Sequence, residues 1–498
     1  MKPQTIVVLA FLTGLLLTGI ARGAEPAAAA TPVAAPPAIT QHSLKIDGQI
    51  LQYQATAGYA IMKDETGKDK ASVFYIAYTR QGSENAASRP ITFAFNGGPG
   101  SASLWLHLGA LGPRRVAMPD DGLAFPPPYR FVDNPHTWLT FTDLVFIDPV
   151  STGYSRPVEG VDKKEFHGVE EDIRSVGDFI RLYVTQNKRW LSPKFVCGES
   201  YGTLRAAGLS DYLQSRYGMY LSGVILISSV LNMQGTLIGP GNDLPYVLYL
   251  PTYTAASWYH KKLPLPDQKS LPQILDEVER WAMGEYLLAL AKGDDLADEE
   301  RNRIIEKLSR YTGLSKTFID EVNLRVPDYR FFRELLRDER LTLGRLDARI
   351  ANREQAALEA WPEVDPSMDA SAGAFTAVIN DYIRSTLKYV NDLPYETISR
   401  AVQPWNWGSA VGGNTNVADD LQRAMSANEN LRVLFVCGYY DLATPYFDAV
   451  HTARHLNLPP HLRKNLSFKF YEAGHMMYTH KPSLIKLRDD ALSFYQSR

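Results

Sequence analysis

Lys194-Phe195-Val196-Cys197-Gly198-Glu199-Ser200-Tyr201-Gly202 decides how the rest of the chain is read. A short apolar run enters Gly-x-Ser-x-Gly and leaves through the helix-forming Leu204-Arg205-Ala206-Ala207-Gly208-Leu209. Strand, tight turn and helix around such a serine are the setting of a nucleophile elbow, which projects the hydroxyl past the end of a sheet. The flanking glycines let neighbouring backbone approach the turn. An ordinary serine in a glycine turn reads the same way over this stretch alone. Partners elsewhere in the chain must decide.

Outward from the elbow, apolar runs recur at the length of buried strands. Ile91-Thr92-Phe93-Ala94-Phe95 ends in Asn96-Gly97-Gly98-Pro99-Gly100-Ser101, and Leu144-Val145-Phe146-Ile147-Asp148 ends in Pro149. Gly223-Val224-Ile225-Leu226-Ile227-Ser228 follows the elbow helix. Leu431 to Cys437 leads to Asp441, and Leu466 to Tyr471 leads to His475. Before the elbow, residues from about Gly168 to Gln186 place Val169, Ile173, Val176 and Ile180 on one helical face. Apolar strands alternating with helices predict an α/β fold, a mostly parallel central sheet flanked by helices. Leu44 to Arg80 alternates instead, with a turn at Asp64-Glu65-Thr66-Gly67, and predicts antiparallel strands ahead of the parallel block.

From Asn232 to Asn430 this rhythm breaks. Ile274, Val278, Trp281 and Leu288 form one apolar stripe, and Ile304, Ile305 and Leu308 part of another. The dense charges from Asp294 to Arg353 are the solvated faces of such helices. The expected organisation is a core over residues 41–231 and 431–498, interrupted by a helical insertion or cap over residues 232–430.

The chain has 498 residues, 45% hydrophobic and 21% charged, which is an ordinary globular balance. A formal charge of −3, with no basic run interleaved with aromatics, leaves no footprint for nucleic acid. Lys2 precedes an apolar run from Ile6 to Leu17, and Ala21 and Gly23 put small residues at the −3 and −1 positions of a cleavage. Residues 1–23 therefore read as a secretory signal peptide, too short in its apolar run for a membrane span. Residues 24–40, with the Ala/Pro tract from Glu25 to Pro37, read as a linker. The mature chain is expected to be exported, to the periplasm or outside the cell. Of the two cysteines, Cys197 and Cys437, each lies on a different strand with one strand expected between them. Next-nearest strands stand ~9–10 Å apart, beyond the ~7 Å reach of a disulfide, so two buried free thiols are expected.

Ser200, Asp441 and His475 each follow a strand, in the order Ser…Asp…His that an α/β-hydrolase uses. A serine hydroxyl becomes a nucleophile when a histidine takes its proton, and the histidine needs a carboxylate to fix its tautomer. Asp448 is near enough in sequence to compete with Asp441 for that acid role. The Asn96 to Gly100 loop stands where a backbone N–H, that of Gly98, would meet the N–H of Tyr201 in an oxyanion hole. Each such donor is worth about 3–4 kcal/mol to a developing oxyanion. A phosphate-binding loop is disfavoured, because Pro99 lacks an N–H and no P-loop lysine follows. No His/Cys/carboxylate cluster has metal-ligand spacing, and no metal or cofactor is expected.

Taken together, Asn96-Gly97-Gly98-Pro99-Gly100, Gly198-Glu199-Ser200-Tyr201-Gly202, Gly438-Tyr439-Tyr440-Asp441 and Gly474-His475-Met476 resemble the signature blocks of the serine carboxypeptidase family. Asn134-Pro135-His136-Thr137-Trp138 and Phe146 to Ser155 resemble its less catalytic blocks. The resemblance covers roughly residues 90–230 and 430–480 and implies an exported, bacterial-type member acting on peptides with a free C-terminal carboxylate. It also implies that Asn96 and Glu199 bind that carboxylate. A carboxyl beside a carboxylate is tolerable only when the pair holds a proton, so peptide hydrolysis is expected to weaken as Glu199 ionises.

The sequence departs from the family pattern at Ala94, where a tryptophan is usual, and at Ser101, where a cysteine is. Ser228-Ser229 replaces a Gly-Asn, and Ala110 replaces an acid that commonly joins the hydrogen bonds around the recognition glutamate. A serine esterase or acyltransferase on the same triad is the alternative, and a catalytically silent binding protein a more distant one.

Overall fold

The structure is a computed structural model that describes residues 36–82, 88–122, 127–264, 270–353, 365–408 and 415–497. The signal-peptide reading and most of the linker reading lie outside the described residues. The linker's far boundary is corrected: the first strand already begins at Ala38.

Nine strands run in order across one sheet, and a two-residue strand, Arg156–Pro157, pairs beside the third. In chain order they are β1 (Ala38–Ile46), β2 (Gln49–Lys63), β3 (Asp69–Arg80), β4 (Ile91–Phe95), β5 (Asp143–Ile147), β6 (Lys194–Glu199), β7 (Gly223–Ile227), β8 (Arg432–Gly438) and β9 (Leu466–Tyr471). Their spatial order is β1-β2-β3-β5-β4-β6-β7-β8-β9. The first three are antiparallel, β3 also meets β5 antiparallel, and every pairing from β5 to β9 is parallel. The chain steps from β4 to β5 on one side and then to β6 on the other. Such a topological switch point opens a crevice at the carboxyl ends of the strands. The loop after β4 and the elbow after β6 flank it.

Parallel strands read as unbroken apolar runs because both faces are covered. In β4, Ile91, Phe93 and Phe95 join one buried cluster while Ala94 joins the other. On β8, Val433, Phe435 and Cys437 face the first cluster and Leu434 and Val436 the second. One face carries α1 (Val169–Gln186) and α2 (Tyr201–Tyr217); Ile173, Val176, Ile180, Leu204 and Leu209 are buried in the first cluster. Cys197 lies in the second cluster and Cys437 in the first, with β7 between their strands. Both are buried free thiols.

The insertion is mostly helical, with one short hairpin pairing Leu341–Leu343 and Ala351–Arg353. Its helices include α3 (Leu244–Tyr259) and α4 (Leu271–Trp281), and Ile274, Val278, Trp281, Ile304, Ile305 and Leu308 are buried as their spacing requires. Leu288 is the exception at 64% exposed. A π-helical turn at Ala282–Tyr286 adds a residue to the helical phase, so Ala289 and Leu290 turn inward instead. The cap reading of residues 232–430 also needs narrowing. α5 (Pro366–Asp381) puts Phe375, Val378 and Ile379 into the second sheet-face cluster, and α6 (Ala418–Ala427) packs on α2. Both are layers of the core. Further on, α7 (Tyr446–Arg454) follows β8, and α8 (Lys481–Gln496) closes the second face with Leu484, Leu487 and Phe494.

One buried ion pair anchors the elbow helix. Arg205 Nε donates to Asp172 Oδ2 at 2.7 Å, and its Nη1 donates to the Asn96 carbonyl at 2.8 Å. The guanidinium also lies over the Phe95 and Tyr201 rings. Removing one partner strands the other, which costs about 3–5 kcal/mol, whereas replacing both by apolar groups is often near neutral. Arg205→Leu is therefore expected to lose about 3–5 kcal/mol in urea unfolding, and Arg205→Leu with Asp172→Leu to recover most of it. Equal losses in the single and double variants would remove the pair as the anchor.

Candidate active site

Ser200 sits between β6 and α2 with φ 60° and ψ −131°, a backbone state a serine rarely takes. It persists because its surroundings over-determine it. The Ser200 N–H donates to the Ile227 carbonyl at 3.0 Å, and its own carbonyl accepts from Thr203 N at 2.8 Å and Thr203 Oγ1 at 2.7 Å. A Cβ at Gly198 would stand 2.0 Å from the Gly202 oxygen, so the elbow closes only with glycine there. The hydroxyl-bearing residue is part-exposed, while Glu199 before it and Tyr201 after it are buried.

The loop after β4 lies directly against this turn. A Cβ on Gly97 would come within 2.5 Å of the Tyr201 nitrogen, and exposed Gly98 takes φ 103°. Neither the Gly98 nor the Tyr201 N–H has a backbone acceptor among the described residues. Two free N–H groups beside a serine are what a developing oxyanion needs. A strap from Glu396 to Asn406 roofs the loop: Ser399 N donates to the Gly100 carbonyl at 2.8 Å, and Ala102 N to the Thr397 carbonyl at 3.0 Å. Trp405 and Trp407 meet the Tyr201 ring edge-on.

Asp441 follows β8, and His475 follows β9. His475 Nδ1 donates to Asp441 Oδ2 at 2.7 Å, with the pair 4% and 0% exposed. The same carboxylate accepts from Ala443 N at 2.8 Å, Thr444 N at 3.0 Å and Thr444 Oγ1 at 2.6 Å. Burial pulls the His475 pKa down, but attraction to Asp441 and the hydrogen bond to it outweigh burial, and the net shift is upward. The histidine backbone is held twice more. Its N–H donates to the Leu346 carbonyl at 2.6 Å, and its carbonyl accepts from Ser228 Oγ at 2.7 Å. A histidine so fixed at Nδ1 leaves Nε2 to exchange a proton.

Glu199 is 3% exposed, and its Oε1 accepts from Asn96 Nδ2 at 2.8 Å. The Leu106 N–H donates to Asn96 Oδ1 at 3.0 Å and so aims the amide nitrogen at Glu199. Burial raises the Glu199 pKa to about 7, against the opposing pull of the His475 charge, the nearby Tyr478 hydroxyl and the Asn96 hydrogen bond. Below neutrality this carboxyl holds its proton, and it ionises as the pH passes about 7.

All seven residues singled out in the sequence thus stand at the carboxyl ends of β4, β6, β8 and β9. Sequence reasoning missed Thr444, Ser228, Leu346 and Tyr478. Thr444 had only an indirect signal: an aspartate commonly accepts from the backbone two residues on, as Asp441 does from Ala443 N, which brings the next residue against it. Leu346 had none, because a carbonyl from an insertion leaves no pattern in the side-chain sequence.

The family model described as serine carboxypeptidase matches residues 45–481. The pheromone-processing carboxypeptidase KEX1 of Saccharomyces cerevisiae is 31% identical over 159 residues, 30% of this chain and 21% of that protein. A carboxypeptidase Y homolog A of Talaromyces stipitatus is 29% identical over 206 residues, 41% of this chain and 31% of that protein. The aligned stretches thus span about a fifth to a third of these relatives' own length. Among solved structures, the prohormone-processing carboxypeptidase KEX1 of Saccharomyces cerevisiae superposes with a TM-score of 0.54 at 17% identity, covering 89% of this chain and 91% of that one. That likeness is one of fold.

Asp448, the rival acid, stands apart on α7. Its carboxyl packs against Gly235, where an added Cβ would meet Oδ1 at 1.8 Å, and neither oxygen has a hydrogen-bond partner among the described residues. Burial raises its pKa to about 8. In the unfolded chain an aspartate ionises near ~3.9, so the folded protein holds an extra proton between those values and stability falls as pH rises through them. Asp448→Asn, neutral throughout, is expected to unfold at higher urea than the parent at pH 8, by roughly 1–3 kcal/mol, with the gain shrinking toward pH 4. A gain independent of pH would mean that no proton sits on Asp448.

Proposed function

Because the chain belongs to the serine carboxypeptidase family, we propose that it releases C-terminal residues from peptides through an acyl-enzyme on a Ser200–His475–Asp441 triad. Ser200 Oγ attacks the scissile carbonyl carbon while His475 Nε2 takes its proton. The tetrahedral oxyanion is held by the Gly98 and Tyr201 N–H groups. His475 then returns the proton to the departing amine, which leaves as the free C-terminal residue. Water repeats the sequence on the acyl-enzyme and restores Ser200. Asp441 keeps the histidine oriented and stabilises its imidazolium form.

One observation carries the exopeptidase reading: a buried acid immediately before the serine, bound to Asn96 at 2.8 Å and raised to about 7. A protonated Glu199 donates to a substrate carboxylate that an ionised one would repel. The activity is therefore favoured at acidic pH. A serine esterase or acyltransferase on the same triad is the second reading, favoured by Ala110, whose apolar buried side chain stands where the family resemblance puts an acid. The N-terminal leader pattern supports export, to the periplasm or beyond it, with cleavage near Gly23. Among the described residues no helix is long and apolar enough to cross a membrane.

Covalent capture of Ser200 by a fluorophosphonate and C-terminal ladder sequencing of a digested peptide test the reading directly. The pH profile tests its chemistry. On a blocked dipeptide with a free C-terminus, kcat/KM is expected to fall above pH ~7 as Glu199 loses its proton, while the matching ester holds level. Glu199→Gln, which cannot ionise, is expected to lose that alkaline fall. Persistence of the fall in Glu199→Gln would assign it to another group and remove Glu199 from carboxylate binding.

A further inference from the structure

The hydrogen bonding of Glu199 is half complete. Oε1 is taken by Asn96, but Oε2 is buried without a partner of good geometry among the described residues. The Tyr478 hydroxyl is buried and equally unpartnered. The two open groups lie close together: Tyr478 packs on Gly109, three residues from the Leu106 N–H that holds Asn96, and after burial and the His475 charge its hydroxyl is the strongest influence on the Glu199 carboxyl. Asn96 acts in the same way on the Tyr478 hydroxyl. An unsatisfied buried polar group is costly to keep. Two of them, one on the residue that precedes Ser200 and one beside it, leave hydrogen-bonding capacity the fold does not use.

The tyrosine is seated there by a missing side chain. Tyr478 lies in a short turn, Met477–Thr479, just beyond His475, and is 1% exposed. A Cβ on Gly109 would stand 2.4 Å from its ring Cε2 and 2.6 Å from Cδ2. Gly109 therefore forms the bed of the ring. The next residue is Ala110, the position of the family's usual acid. A second acid would share a proton with Glu199. A phenol kept neutral by burial offers only its hydroxyl proton, to Glu199 or to a carboxylate bound beside it.

We propose that Tyr478 is a positioning residue of the carboxylate subsite, whose hydroxyl donates into the pair formed by Glu199 and the substrate's terminal carboxylate and takes over the part of the acid absent at Ala110. This rests on the carboxypeptidase reading above. Tyr478 holds Glu199 in the orientation that meets the peptide terminus and does not touch the reacting carbonyl. Its loss is felt by substrates that carry a free carboxylate.

Tyr478→Phe keeps the ring and removes the hydroxyl. On a blocked dipeptide with a free C-terminus, kcat/KM is expected to fall about 10- to 100-fold, chiefly through KM, while the matching ester changes less than about 3-fold. The alkaline fall of the free-acid profile is expected to move to higher pH, because ionised Glu199 loses a donor. Gly109→Ala, which pushes the ring from its bed, is expected to give the same selective loss. Equal losses on acid and ester, or no loss on either, would reduce Tyr478 to packing.

Binding separates this proposal from the reading beneath it. With Ser200→Ala as the parent, calorimetry compares the blocked dipeptide acid with its amide. A parent that binds both alike overturns the carboxylate subsite and Tyr478 with it. A parent that prefers the acid, with the preference unchanged by Tyr478→Phe, overturns Tyr478 alone. A preference cut about 10-fold supports it.

Discussion

A serine held at φ 60° is the constraint on which this structure turns. Such a backbone state costs about 1–3 kcal/mol and survives only where neighbours leave no alternative. Here the neighbours are backbone. Gly198 closes on the Gly202 oxygen, Gly97 on the Tyr201 nitrogen, and the Ser200 N–H is bound to the end of β7. The sheet order follows from the same need, since β4 and β6 must be adjacent for the two glycine loops to touch. The Arg205–Asp172 pair then pins the elbow helix to α1 and to the Asn96 carbonyl. Ser200, the Gly98 and Tyr201 N–H groups and the asparagine beside Glu199 are thus tied into one piece by backbone contacts and the Arg205 pair.

Protons divide the site into two halves. Asp441 is surrounded by four donors, so its negative charge is fully met and can steady a charged histidine. Glu199, equally buried, receives one good donor, and burial wins. The two buried carboxyls of the site thus differ in the count of hydrogen bonds they receive. Asp448 extends the series: with no donor at all, it is displaced furthest toward its neutral form. Sequence distance made it a rival to Asp441, and donor count removes it.

Much of this was legible in the residues, for physical reasons. The buried strands β4 to β8 announce themselves because both faces need apolar side chains; Ser200, Asp441 and His475 announce themselves by following strands, and Asn96 and Glu199 by their resemblance to the family's blocks. Less legible was whatever depends on backbone or phase. Leu288 was misplaced because a π-helical turn is invisible to a fixed helical period. α5 and α6 were assigned to the cap because amphipathic helices look alike whether they cover a sheet or one another. Tyr478 was passed over because nothing in Met477-Tyr478-Thr479 tells that a glycine far upstream makes room for its ring.

The carbonyl of Leu346 that accepts the His475 N–H has a wider meaning. It belongs to the insertion, not to the sheet. Asp347 beside it accepts from Gly474 N, and the Arg345 carbonyl accepts from Leu442 N, one residue beyond Asp441. The insertion therefore works as a bracket clamped to the loops of both the acid and the base. Helices of the insertion that pack only on one another meet no such constraint. The Arg345–Asp347 corner meets it, because any drift there reaches the imidazole within a single hydrogen bond. Together with the strap from Glu396 to Asn406, that corner ties the insertion to the loops around Ser200 and His475 through backbone hydrogen bonds.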